Sequence, residues 1–231
     1  TPRLDRTKNA MPVPKHASPA THRSSRSKNL SRMGRGVTTG LGVMELHRTE
    51  RIANTSGQLI EVSYVGVARH EGSMRKAILD LKYHGQRHVA RQLAEIVVEA
   101  LGAISMPNKV FIITWAPTTR RRLQKRSYDQ SELIARHVGA LAQLPVRRLL
   151  RRTDSRHQTG RSRSERLHGV AFVGRSVGQR HVVLVDDVTT TGATFAAAAR
   201  ELVRCGAIGV ICVAPSRTLE KVSASRDSGV N

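Results

Sequence analysis

The sequence predicts an α/β fold in which a mostly parallel sheet is flanked by helices. Two apolar runs rich in β-branched residues, 109–115 and 182–185, are typical of strands buried on both faces. The segment 192–204 is strongly helix-forming and separates the second run from a third apolar run, 208–214. Strand, helix and strand in this order form the unit from which parallel sheets are built.

The chain has 231 residues, which suffices for one domain of ordinary size with tails. Residues 1–57 contain eleven Lys and Arg against three Asp and Glu, and hardly an apolar cluster. Such a segment buries too little apolar surface to offset the entropy lost on ordering. We therefore expect a disordered basic tail over 1–57, an α/β domain over 58–216 and a polar tail over 217–231.

The first half of the predicted domain alternates strand and helix. Residues 61–68 predict a strand, and the apolar spacing within 74–81 predicts a short amphipathic helix. A basic turn over 81–88 leads into a longer helix that ends near Gly102.

The second half begins with the strand at 109–115, which runs into a basic loop over 116–126. A helix starting in 127–132 stops before Pro145, and a short strand with a basic face follows at 146–152. The polar segment 151–172 is long for a compact domain. Such length fits a mobile active-site loop, or equally a surface excursion without a catalytic role.

Two adjacent carboxylates, Asp186 and Asp187, end the strand at 182–185, and a Thr/Gly run leads from them into the next helix. Ligands of open α/β sheets bind at the carboxyl ends of strands. Free backbone N–H groups and the positive end of a helix dipole favour phosphate there, and Gly192 allows close approach. The residues that we expect to bind phosphate are Val188, Thr189, Thr190, Thr191, Gly192, Ala193 and Thr194.

Carboxylates do not attract phosphate, but they accept hydrogen bonds from sugar hydroxyls and hold Mg²⁺ directly or through water. The stretch therefore predicts a ligand with a phosphate, a sugar diol and a metal, with Asp186 and Asp187 as the metal-binding residues. The simpler alternative is a strand-to-helix turn with an Asp cap, which needs no ligand. Neither a Walker A motif nor G-x-G-x-x-G is present.

The loop that follows the strand at 109–115 carries five basic residues in seven. It could meet a second anionic group of the same ligand, and a solvated basic turn is the alternative. The candidates are Thr118, Arg120, Arg121, Arg122 and Arg126.

The net charge of +22 favours anionic partners, either phosphorylated small molecules or nucleic acid. Use of Arg as the default solvated residue would explain part of this excess. Cys205 and Cys212 form no C-x-x-C motif, so we expect both to be small buried residues. No apolar run approaches the roughly 18 residues of a membrane span, so we expect a cytoplasmic protein.

Four parts of the sequence resemble known motifs. The stretch 182–194 is similar to the phosphoribosyl-pyrophosphate (PRPP) signature of type I phosphoribosyltransferases. Residues 81–85 resemble an L-K-Y-x-G element, and 126–133 resemble R-G-F-N-Q-x-x-L. Arg152 to Arg166 resembles R-T-x-x-Q-T-x-L-x-x-x-E-R. In this order and spacing, over residues 60 to 215, the chain resembles the ComF-type phosphoribosyltransferase-like proteins.

The resemblance implies a type I phosphoribosyltransferase fold, a link to DNA uptake in competent bacteria, and transfer of a phosphoribosyl group from PRPP with Mg²⁺. It implies that Asp186 and Asp187 hold the ribose diol at the catalytic centre and that Thr190 to Thr194 clamp the 5′-phosphate. The basic residues near 120–126 would face the pyrophosphate. The acceptor is not implied.

The chain departs from the family pattern in two ways. Relatives commonly carry a Cys-rich zinc ribbon, whereas this sequence has no cysteine before Cys205, so no zinc is expected. Ser127 stands in place of Gly and Asp129 in place of Asn. Two functions stay open: an enzyme, or a non-catalytic PRPP sensor that binds single-stranded DNA or a protein of the uptake machinery. A degenerate fold without a ligand is the third possibility.

Overall fold

The computed structural model describes residues 45–104, 110–153 and 170–218. The strands are β1 (Glu45–Ala53), β2 (Leu59–Arg69), β3 (Phe111–Trp115), β4 (Leu150–Thr153), β5 (Ala171–Gly174), β6 (His181–Val185), β7 (Val188–Thr189) and β8 (Gly209–Arg217). The helices are α1 (Gly72–Tyr83), α2 (Val89–Ala103), α3 (Arg120–Arg126), α4 (Gln130–Ala142) and α5 (Ala193–Arg204).

The main sheet has the strand order β1-β2-β8-β6-β3, and β7 also pairs with β8. All its pairings are parallel except that of β1 with β2. Strands β4 and β5 form a separate antiparallel pair. The predicted α/β class with a mostly parallel sheet is confirmed.

Helices cover both faces of the main sheet. Val183 and Val185 of β6 pack in one core with residues of α1, α2 and α4, whereas Val182 and Leu184 pack in the other with α5 and Phe172 of β5. All four side chains are fully buried. A strand buried on both faces has no polar face, which explains its unbroken apolar sequence.

Part of the predicted basic tail is folded, so the predicted domain boundary at residue 58 is wrong. Strand β1 pairs antiparallel with β2, from Glu45 opposite Gly66 to Ala53 opposite Leu59. The strand escaped the prediction because Arg48 and Arg51 are exposed on it and Ile52 contributes only partly to a core. An edge strand is held by backbone pairing, which composition does not show. Residues 1–44 lie outside the described residues.

The C-terminal boundary and the cysteines can also be compared with the prediction. Strand β8 continues to Arg217, beyond the predicted end at 214. Cys212 on this strand is fully buried, as predicted, while Cys205 is half-buried. Residues 219–231 lie outside the described residues, as does 154–169, most of the predicted polar segment.

Two local predictions are corrected. The segment 120–126, predicted as a loop, forms α3 because the Thr119 hydroxyl accepts a hydrogen bond from the Arg122 N–H at 3.3 Å and caps the helix. The strand predicted at 146–152 is divided. Val146 makes an isolated parallel bridge to Ile113, and regular pairing starts only at Leu150.

Candidate functional site

The carboxyl ends of three parallel strands meet where β6 ends. Val185 pairs with Trp115 of β3 on one side and with Val213 of β8 on the other. The Asp186 N–H continues this pattern by donating to the Val213 carbonyl at 3.1 Å. The first carboxylate therefore lies at the carboxyl edge of the sheet, as predicted.

The half-buried Asp186 is held by α4. Its Oδ1 accepts hydrogen bonds from the Ser131 hydroxyl at 2.7 Å and from the Asp187 N–H at 2.9 Å. Burial raises the pKa of the Asp186 carboxyl group, and the charge of Asp187 raises it further. The hydrogen bond from Ser131 and the charge of Lys82 act in the opposite direction.

Asp187 is held by a different helix, α1. Its Oδ2 lies 3.1 Å from the Lys82 ammonium, and the two side chains are 14% and 19% exposed. Both carboxylates are therefore oriented by partners distant in sequence. The L-K-Y element drew attention to Lys82, but only as a resemblance, and its role was missed.

A histidine stands near this ion pair. The His70 Nδ1 lies 2.8 Å from the Ser216 hydroxyl, and Ser216 is fully buried on β8. Burial lowers the pKa of His70, the charges of Lys82 and Arg75 lower it further, and Asp187 raises it. His70 was not predicted because no motif points to it.

The predicted phosphate-binding run divides into two parts. Val188 and Thr189 form β7 and pair with Ser216 and Arg217 of β8. The exposed Thr190 and Thr191 then lead to the start of α5, where Thr194 is half-buried.

The turn into α5 has the properties that an anion requires. Gly192 has a φ of 75°, and no atom lies within 4 Å of where a Cβ would stand. No side chain caps the helix at Gly192, although the Thr191 hydroxyl approaches the Ala193 N–H at 3.4 Å. The N-terminus of α5 is thus open and carries N–H groups without helical partners.

The turn after β3 is attached to the same helix as Asp186. The buried Asp129 caps α4 by accepting from the Ser131 N–H and the Glu132 N–H, and its Oδ2 accepts from the Thr118 N–H at 2.9 Å. Burial raises the pKa of Asp129 to about 6, against the effect of these backbone donors. Ser131 follows the cap directly, so Thr118 and Asp186 are joined through α4.

The basic candidates lie on α3. Arg120, Arg121 and Arg122 are exposed. Arg126 donates to Gln130 at 3.0 Å and lies over the Tyr83 ring, 4.8 Å from its centre. Because Tyr83 follows Lys82 on α1, this contact brings the end of α3 to the side of the site where Lys82 meets Asp187.

Comparison with known proteins adds the family. No protein-family model matches the chain. The "DNA utilization protein YhgH" of Escherichia coli K12 is 29% identical over 168 residues, which cover 67% of this chain and 72% of that protein. Its Salmonella typhimurium counterpart is 25% identical over 166 residues, with the same coverage. The "Competence protein ComFC" of Bacillus subtilis is 24% identical over 143 residues, covering 61% of this chain and 58% of that protein.

The chain is a homologue of the ComF and YhgH proteins. Similar solved structures include adenine phosphoribosyl transferase from Trypanosoma brucei, at 12% identity and a TM-score of 0.39, covering 73% of this chain and 90% of that chain. Purine phosphoribosyltransferase from Pyrococcus horikoshii matches at 18% identity and a TM-score of 0.29, covering 64% and 84%. The sequence relatives, and not these structural matches, carry the family assignment.

The ComF-type motif at 126–133 can now be understood physically. Its Gly position is occupied by Ser127, whose φ of 62° lies in the left-handed region that favours glycine. Its Asn position is Asp129, the N-cap of α4, and Asn and Asp cap helices about equally well. Both departures therefore preserve the backbone that presents Ser131 to Asp186.

The predicted absence of a membrane span can be compared only in part. Among the described residues, every helix falls short of the length and apolar character that crossing a bilayer requires.

Proposed function

We propose that this ComF-type homologue binds PRPP at the carboxyl edge of the sheet and transfers its phosphoribosyl group to an acceptor. The observation that carries the proposal is the junction of β6 and α5. There, two anchored carboxylates stand a few residues before an open, uncapped helix N-terminus. This combination suits a sugar diol linked to a phosphate.

The 5′-phosphate would lie on the turn from Thr190 to Thr194. Backbone N–H groups at the start of α5 can donate to its oxygens, and the helix dipole favours the negative charge. The exposed hydroxyls of Thr190 and Thr191 can add donors. The open space beside Gly192 lets the phosphate approach the backbone closely.

The ribose hydroxyls would donate to Asp186 and Asp187. Ser131 and Lys82 hold these carboxylates in place before the ligand arrives. Pre-positioned acceptors do not need to be ordered during binding, which favours both affinity and correct orientation of C1′.

The two carboxylates also fit Mg²⁺, provided that the ligand supplies further oxygens. The described residues contain no group of three or more His, Cys, Asp or Glu that could hold a metal alone. Mg²⁺ is usually bound by one or two carboxylates together with water and substrate phosphates. When bound, it would neutralise charge on the pyrophosphate.

In the reaction, the bond from C1′ to pyrophosphate breaks and the leaving group takes the electron pair, while the acceptor's lone pair forms the new bond to C1′. Positive charge develops on the ribose, and the nearby carboxylates stabilise it. The Thr118 backbone and the arginines at 120, 121, 122 and 126 would stabilise the departing pyrophosphate. The acceptor and its proton acceptor are left open by the described residues.

Calorimetry with PRPP and Mg²⁺ tests the binding step. The Asp186→Asn/Asp187→Asn variant is expected to lose at least about tenfold in affinity, because hydrogen bonds to charged groups contribute most strongly. Glu61→Gln/Glu95→Gln, which removes the same charge at exposed positions, should bind as the wild type does. Circular dichroism checks that both variants fold. Equal affinity of all three proteins would exclude the two carboxylates from the site.

A second candidate is a non-catalytic module of DNA uptake, which senses PRPP and binds single-stranded DNA or a partner protein. It is favoured by the names of the relatives, "DNA utilization protein" and "Competence protein", and by the net charge of +22. It predicts PRPP binding without pyrophosphate release. It also predicts oligonucleotide affinity that falls steeply as salt rises. Pyrophosphate release with an acceptor would favour the enzyme. We keep a cytoplasmic location as part of either proposal.

A further inference from the structure

Four arginines surround a cavity away from the candidate site. Arg147, Arg148, Arg175 and Arg180 line a hollow of about 470 Å³, here called the arginine hollow. The remaining lining residues are Ile112, Leu149, Ser176 and Val177. No carboxylate is among the eight, so the hollow is strongly cationic.

The arginine hollow lies at the opposite end of the central strands from the two aspartates. Arg180 directly precedes β6 and Asp186 directly follows it. At a rise of about 3.3 Å per residue, six residues of strand separate the two Cα atoms by about 20 Å. The hollow is therefore distinct from the proposed PRPP site.

The guanidinium groups are available for a ligand. All four arginines are exposed, and within the described ranges none of their side chains takes part in a hydrogen bond or an ion pair. Elsewhere, arginines pair with acids, as Arg204 does with Glu201 and Arg136 with Glu132. Four unpaired like charges around one cavity repel one another, and a bound anion would relieve the repulsion.

The backbone beneath these side chains is well anchored. The Arg147 N–H donates to the Ile113 carbonyl at 2.9 Å, and the Arg175 N–H donates to the Leu149 carbonyl at 2.8 Å. The Arg180 carbonyl accepts from the Ile208 N–H at 3.1 Å. Two separate segments of the chain are thus fixed to the sheet in positions that aim their arginines at one space.

We propose that the arginine hollow is a second phosphate-binding site, which takes the phosphate groups of a nucleotide, free or within a single strand. Guanidinium groups present paired donors that match phosphate oxygens. The volume lies within the range of small-ligand sites, which is roughly 300–1,000 Å³. Ile112, Leu149 and Val177 are at most 5% exposed and give the hollow an apolar floor, against which a sugar or base can pack.

The test uses the full chain carrying Asp186→Asn/Asp187→Asn, so that binding at the first site does not interfere. In this background, Arg175→Gln/Arg180→Gln is compared with Arg51→Gln/Arg200→Gln. The second pair removes the same charge from exposed positions outside the hollow. The probes are a fluorescein-labelled single-stranded oligothymidine, followed by anisotropy, and inorganic tripolyphosphate, followed by calorimetry.

We expect the hollow pair to weaken binding of at least one probe by about tenfold or more, since two charge-assisted contacts are lost. The control pair should change it by less than about threefold, since exposed charges act weakly at a distance. If the oligonucleotide is affected, the slope of log affinity against log salt should fall by about 1.4, or about 0.7 per phosphate contact.

The two probes distinguish the source of the phosphate. Selective loss of oligonucleotide binding assigns the hollow to a strand backbone, and selective loss of tripolyphosphate binding assigns it to a free phosphorylated compound. Equal losses in the hollow pair and the control pair would overturn the proposal, as would the absence of binding by either probe. Neither result depends on whether PRPP binds at the other site.

Discussion

The ion pair between Lys82 and Asp187 should be worth far more than the surface pairs of this protein. It joins the last turn of α1 to the residue pair that ends β6, and both side chains are at least four-fifths buried. The perturbation is a double-mutant cycle of Lys82→Met, Asp187→Asn and the combined variant, which isolates the interaction between the two groups.

The expected magnitude follows from the geometry. At the observed 3.1 Å, and with an effective dielectric constant of about 20, two unit charges attract by about 5 kcal/mol. Removal of both groups from water offsets much of this attraction. We therefore expect a coupling energy of about 1–3 kcal/mol in the free energy of unfolding.

The assay is urea denaturation followed by circular dichroism, with a matched cycle on an exposed pair. Arg91 and Glu95 on α2 lie 3.2 Å apart, but their side chains are 66% and 53% exposed. Arg91→Met and Glu95→Gln should therefore show a coupling of only about 0.3–0.5 kcal/mol. If the Lys82 cycle gives a coupling no larger than the Arg91 cycle, then Lys82 does not anchor Asp187.

Two further predictions concern Ser127 and His70. Ser127→Gly should stabilise the protein by about 0.5–1 kcal/mol because glycine relieves the left-handed backbone, whereas Ser73→Gly in α1 should destabilise it by a similar amount; urea midpoints that move in the same direction would contradict this. The pKa of His70 is lowered by burial and by Lys82 and Arg75, so the folded state binds a proton less readily than the unfolded chain. The stability that His70 contributes is therefore complete above about pH 6.5 and is lost as the pH falls through the folded pKa. His70→Gln should make the acid-side decline of the melting temperature shallower, and identical declines in the two proteins would refute the assignment.

Local sequence was sufficient for the centre of the fold. The apolar run of β6, the two acids after it and the helix-forming segment of α5 are consecutive, and each has a recognisable period or residue type. The carboxyl end of a buried parallel strand lies at a sheet edge whatever the remaining topology. For this reason, the placement of Asp186 and Asp187 could be predicted without coordinates.

Composition was a poorer guide where backbone pairing decides the structure. Strand β1 reads as part of a polar tail because an edge strand needs few apolar side chains once its N–H and C=O groups pair with β2. Likewise, the basic run at 120–126 reads as a loop, and the Thr119 cap turns it into α3.

The partners of the two acids were decided by the tertiary structure alone. Lys82, Ser131 and His70 reach the site from α1, α4 and the end of β2, and the arginine hollow likewise combines Arg147 with Arg180. Sequence spacing carries information about neighbours along one helix or strand. Contacts between distant segments depend on the order and direction in which strands pair, and on the face that each helix covers. Those are properties of the whole packed sheet.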